Sequence, residues 1–182
     1  MNRRQLAHIL RAAADVGNDP HILVIGSQAI LASFEADALP VAATRSIEAD
    51  IAFFDDADHL KADFVEGAIG EDSMFHQSYG YYGQGVSVAT ATLPDGWQDR
   101  LVRFNPPDSA PAEALCLDPS DLAVAKLVAS RQKDIEYVAS LLGSGHLEPE
   151  VLRERVASLS VVGAVRSRVS VLLERLIARN SG

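Results

Sequence analysis

Cysteine is almost missing from this sequence: Cys116 is the single one in 182 residues. No disulfide framework or cysteine-based zinc site can be built from it, which fits a reducing cytoplasm. Long apolar runs are missing too. No stretch of about 18 apolar residues occurs, so no segment is expected to span a membrane. The start, Met-Asn-Arg-Arg-Gln-Leu, leads into an apolar stretch broken by His8, Arg11 and Asp15, too polar for a signal peptide. A soluble, cytoplasmic protein is expected. Repeats and low-complexity segments are absent. Positive charge is scarce: 16 Lys and Arg stand against 25 Asp and Glu, a net charge of -9. That excess opposes general binding to nucleic acid, because phosphates are repelled before contact. Only residues 150–182 reverse the balance, with six arginines against three glutamates, and solvated helix faces account for them.

What the chain does have is an ordinary globular balance, 48% hydrophobic and 23% charged, in a length that suits one domain with a real core. Leu6, Ile9, Leu10, Ala13 and Val16 recur at helical spacing, so residues 3–17 are expected to form an amphipathic helix ending near Gly17 and Asn18. Residues 21–25 are a short continuous apolar run and predict a buried strand. Gly26 and Ser27 turn the chain into an expected helix from Gln28 to about Phe34. Residues 47–54 predict a strand, 57–69 a helix, 79–85 a loop rich in Tyr and Gly, and 86–92 a strand of closely spaced β-branched residues. Short strands are expected at 100–104 and 113–117. A long helix follows, with Asp118 as N-cap, Pro119 first and Asp121 third. It runs to Gly143 with room for a kink or break at Ser130–Gln132, and helices at 149–158 and 163–179 complete the chain. Mixed elements followed by helices alone predict an α+β fold, or an α/β core with a helical tail. The core is expected over 1–117 and a helical region packed on it over 118–182, with a single domain spanning both as the alternative.

Three features could carry chemistry. Gly26 and Ser27 stand between a buried strand and a helix, where free N–H groups and a hydroxyl can hold a phosphate; a Gly-Ser turn also serves geometry alone. Glu48 and Asp50 are two apart on a strand and so share a face. Paired carboxylates repel, and burying them is costly unless a cation compensates. Mg²⁺, whose preferred ligands are such oxygens together with substrate phosphates, is the natural compensation; the alternative is a hydrated sheet edge. On the long helix, Lys126 and Lys133 lie on nearly one line, with Asp134 on the adjoining line and Arg131 close by. That stripe could neutralise a triphosphate or could be a solvated face.

The order of these blocks adds a resemblance. "ILVIGSQAIL", "TRSIEADIAFF", "TLPDGWQDRLVRF" and "DPSDLAVAKLVASRQKDIEYV" together resemble the nucleotidyltransferase-fold proteins related to the AbiEii toxin component, over roughly residues 20–142. The resemblance implies a mixed sheet flanked by helices, with a helical C-terminal extension. It implies that Gly26 and Ser27 grip nucleotide phosphates, that Glu48 and Asp50 bind Mg²⁺, and that Lys126, Lys133 and Asp134 contribute further polar groups. The implied activity is Mg²⁺-dependent transfer of a nucleotidyl group from an NTP to a hydroxyl on a protein or RNA, in some relatives as a toxin with an antitoxin partner. Two departures stand out. Glu48 replaces the first Asp of the family's Asp-x-Asp, and the expected strand 86–92 lacks the third carboxylate that many relatives place on a later strand. A catalytically degenerate module acting through protein contact is the alternative they favour. Gly80, Gly83 and Gly85 lack nucleotide-loop spacing, and His8, His21, His59, His76 and His146 are scattered without metal-ligand spacing.

Overall fold

The computed structural model describes residues 1–180. The chain opens with helix α1, Arg3–Gly17, held by a reciprocal cap in which the Asn2 side chain accepts from the Gln5 N–H and the Gln5 side chain from that of Asn2. The cap satisfies two donors that a helix start leaves unpaired. Leu6, Ile9, Leu10 and Ala13 are fully buried, so the predicted apolar stripe is the packed face. Strand β1, His21–Val24, follows, then a 3₁₀ segment, Ser27–Ala32, a short helix α2, Val41–Thr44, and strand β2, Glu48–Phe53. Helices α3, Leu60–Ile69, and α4, Met74–Tyr79, lead to strand β3, Tyr82–Gly85. Strands β4, Val102–Phe104, and β5, Glu113–Cys116, precede helices α5, Pro119–Ala129, α6, Gln132–Gly143, α7, Pro149–Ala157, and α8, Gly163–Asn180.

Among the described residues five strands form one mixed sheet in the order β3-β2-β1-β5-β4. β1 is central, antiparallel to β2 and parallel to β5. Ile22, Leu23 and Val24 are all fully buried, which means both faces of the sheet centre are covered. The two faces can be told apart. A Cβ on Gly17 of α1 would meet the Phe53 ring, and one on Gly83 would meet Ile9 and Ile69. The face carrying Ala49, Ile51, Phe53 and Gly83 therefore packs on α1 and α3. Period two then turns Glu48 and Asp50 to the other face. The architecture is α+β, with a helical C-terminal region. One contiguous core runs from Leu6 to Leu176.

Three expectations are corrected. Residues after Ser27 form a 3₁₀ segment of six residues rather than an α-helix to Phe34. Gln28, Ala29, Ile30 and Leu31 are all fully buried, so no amphipathic stripe exists and tertiary packing sets the winding. Residues 79–85 are the end of α4 and strand β3 rather than a loop. Their glycines permit close packing: a Cβ on Gly85 would lie 1.9 Å from the Ala62 carbonyl oxygen, the usual meaning of glycine inside a strand. Residues 86–92 are not a strand. Ser87 Oγ accepts from the Ala89 N–H and Thr90 Oγ1 donates to the Ser87 carbonyl. Such local side-chain bonds draw the backbone away from a ladder and into a 3₁₀ turn at Val88–Thr90. The long helix does break where a break was foreseen. Ser130 adopts left-handed backbone (φ 55°) between α5 and α6.

Candidate active site

Parallel pairing of β2 with β3 sets Glu48 beside Tyr82 and Asp50 beside Gln84. The Tyr82 hydroxyl donates to Glu48 Oε2 at 3.0 Å, which fixes one carboxylate. The other is pressed against the turn after β1. A Cβ on Gly26 would fall 1.4 Å from Asp50 Oδ2, so the carboxylate occupies the space any side chain at residue 26 would need. This is why glycine stands at this turn: its φ of −93° is open to any residue, and the constraint is steric. Among the described residues the Asp50 carboxylate accepts no hydrogen bond. Burial, and then the negative charge of Glu48, raise its pKa to about 6 against the pull of Lys126, Lys133 and Arg131.

Lys126 reaches the same place from α5. Its Nζ donates to Ser27 Oγ at 3.0 Å and to Asp134 Oδ1 at 3.1 Å, and it lies 4.6 Å from the centre of the Tyr137 ring. The Tyr137 hydroxyl donates to the Ser27 carbonyl at 2.9 Å. Burial lowers the Lys126 pKa, opposed by Asp134 and Asp50. Asp134 is fully buried. Burial pushes its carboxyl up, but Arg131, whose Nε donates at 2.6 Å, and Lys126 outweigh that and hold it below the usual range. The break at Ser130 makes this cluster possible. In an unbroken helix residues 126 and 134 would stand about 12 Å apart along the axis.

Gly26, Ser27, Glu48, Asp50, Lys126 and Lys133 all line one cavity of about 320 Å³, at the lower end of the range for small-molecule sites. A smaller lobe of about 180 Å³ adjoins it, sharing Ser27, Glu48, Lys126 and Lys133 and adding Arg45 and Asp134. Six of the seven residues singled out in the sequence therefore line the first cavity, and the seventh, Asp134, lines the smaller lobe. Lys133 is exposed on its rim and, among the described residues, takes no salt bridge or hydrogen bond. Sequence reasoning missed three neighbours and gave a fourth no role of its own. Tyr82 and Gln84 were hidden by reading 79–85 as a loop. Tyr137, three residues beyond Asp134 and hence on the same helix face, was findable. Arg131, named beside the lysine stripe, has its role in holding Asp134. The strand beside β2 is β3 rather than 86–92, and its residue opposite Asp50, Gln84, is neutral.

The donor set suits a hard divalent cation that brings its own further ligands. It offers two carboxylates, one of them, among the described residues, without a donor and penalised for its charge. Among the described residues no group of three or more His, Cys, Asp or Glu could hold a metal by itself. Two carboxylates plus substrate phosphates is the arrangement Mg²⁺ uses.

A family model described as "Nucleotidyltransferase of unknown function (DUF6036)" matches residues 4–174. No curated protein and no solved structure matches the chain.

Proposed function

The chain belongs to this nucleotidyltransferase family, and we propose that it transfers a nucleotidyl group from an NTP to an acceptor hydroxyl in a Mg²⁺-dependent reaction centred on Glu48 and Asp50. The observation that carries the reading is the contact of the undonated Asp50 carboxylate with the bare Gly26 turn, at the mouth of a hollow ringed by Lys126, Lys133 and Arg131.

Glu48 and Asp50 would hold the ion, which supplies charge neutralisation and polarises phosphoryl oxygens when bound. The protein's own groups do the positioning. Ser27 Oγ accepts from Lys126, so its own proton is free to point to a phosphate oxygen. Lys126 is committed to Ser27, Asp134 and the Tyr137 ring, and acts by setting the hydroxyl and by its field. Lys133, and Arg131 through its field beside Asp134, would offset the negative charge that develops on the leaving group. The acceptor oxygen bonds to the α-phosphorus, the bond from that phosphorus to the bridging oxygen breaks, pyrophosphate leaves, and the hydroxyl proton passes to solvent. Acceleration rests on orientation and fixed charge. The resemblance to AbiEii-type proteins supports a toxin role restrained by an antitoxin-like partner.

Titration calorimetry with Mg²⁺ and each NTP, paired with transfer of label from α-³²P NTPs, tests this. Wild type is expected to bind an NTP only with Mg²⁺, and Asp50→Ala to lose at least tenfold in affinity. Equal binding by the two proteins would end the proposal. Binding without any transfer would favour the degenerate module, a reading that neutral Gln84 beside Asp50 supports.

A further inference from the structure

A second cavity, of about 540 Å³, lies beyond the first. Val86 and Ala91 line both, so the two hollows share part of a wall. Its chemistry differs. Asp55 and Asp56 line it, together with His59, the rings of Phe54 and Trp97, and Leu93; among the described residues no Lys or Arg does. Lys61, at the start of α3, is held by Asp19 at 2.7 Å. Asp56 Oδ1 and Oδ2 accept from the N–H groups of Lys61 and Ala62 at the start of α3, whereas Asp55 is exposed and, among the described residues, takes no hydrogen bond or salt bridge, with Lys61 the cation that feels its charge.

Resting on the nucleotidyl-transfer reading, we infer that this cavity receives the acceptor, and that the acceptor is a basic peptide segment whose hydroxyl lies next to Lys or Arg. Three observations point the same way. The cavity opens onto the wall of the carboxylate site, where an acceptor must arrive. Carboxylates beside aromatic faces favour a cation over an anion, through charge and cation–π attraction, and the chain's net charge of -9 acts in the same direction. RNA phosphates meet repulsion at this mouth. The apolar surface also continues past the cavity. Leu60, next to His59, and Phe64, one turn along α3, are 52% and 59% exposed, as Phe54 is at 50%. An extended segment can use that surface, whereas a small cation cannot.

Trp97 is the single tryptophan of the chain, so its fluorescence reports occupancy of this cavity without any nucleotide. The probes are a short arginine-flanked serine peptide, its glutamate-flanked twin, choline as a small hydroxyl-bearing cation, and a short oligoribonucleotide. The arginine peptide is expected to shift Trp97 emission saturably. Asp55→Asn is expected to weaken it about tenfold, while Asp50→Asn leaves it within about twofold. No saturable shift, equal binding of the glutamate twin, stronger binding of choline or RNA, or indifference to Asp55→Asn would each overturn the inference. The readout contains no NTP, so failure of the transfer reading, seen in the Mg²⁺–NTP titration, is a separate result.

Discussion

Asp50 fills the volume that a side chain at residue 26 would take, and it does so with a charge that no group among the described residues donates to. Its carboxyl is ordinarily half-ionised near pH 4 and here is raised to about 6 by burial and by Glu48. Below about pH 4 the group is protonated in folded and unfolded chains alike. Between about 4 and about 6 only the folded chain keeps the proton, so stability falls as pH rises through that window, and above it the ionised side chain exerts its whole penalty. In metal-free protein at about pH 8, Asp50→Asn is therefore expected to be the more stable, by on the order of 2 kcal/mol. The advantage should shrink as pH drops and be gone near pH 4. Urea unfolding across pH measures it, and an Asn variant no more stable than its parent at pH 8 would show that Asp50 ionises in the fold without strain. A stabilising substitution that removes binding marks a residue held for chemistry.

At the scale of elements, the break between α5 and α6 is what assembles the basic side of the site. Ser130 stands in left-handed backbone, which β-branched residues tolerate poorly. Its hydroxyl donates to the carbonyls of Leu127 and Val128. Ser130→Val is expected to cost about 1–3 kcal/mol in chemical denaturation and to weaken NTP binding by releasing Asp134 from Lys126. Ser130→Gly should keep both within a few tenths of a kcal/mol of the parent. A Val variant as stable as the Gly variant would mean that the break is imposed by packing and the residue is incidental. This element also shows how far the sequence could be read. Asp118, Pro119 and the apolar stripe announced the helices, since caps and periodicity are local signals. Period two put Glu48 and Asp50 on one face for the same reason. The conformation of residues 82–92 was not legible. The glycines of β3 answer to Ile9, Ile69 and Ala62, all distant in sequence, and the β-branched run after it bends under bonds from Ser87 and Thr90. Strand propensity measures fit to a half-buried pleated surface, and neither segment advertises its neighbours.

Across the whole molecule, the C-terminal helices are tied to the sheet half by a buried ion cluster. Asp121 on α5 is fully buried. It accepts two hydrogen bonds from Arg100, at 2.8 and 3.0 Å, and lies 3.3 Å from Arg155 Nε on α7. A second tie joins Ser160 to Asp95, with Pro94 bridging Leu159. Removing the buried anion leaves two partly exposed cations without their partner, so Asp121→Ala is expected to cost about 1–3 kcal/mol. Because one core spans both halves, the loss should appear as a single lowered transition in calorimetry. A variant in which part of the heat is absorbed in a separate early step would show that α7 and α8 unfold on their own.

Cys116 lies at the middle of all this. It is paired on one side with Val24 and on the other with Val102, fully covered, and its thiol is pushed up to about 12 by burial. Alkylating reagents act on thiolates they can reach, so the intact protein presents nothing for them to attack. Each modified molecule then records one occasion on which the centre of the sheet came apart, and the sole sulfhydryl of the chain serves as a clock for how often that happens.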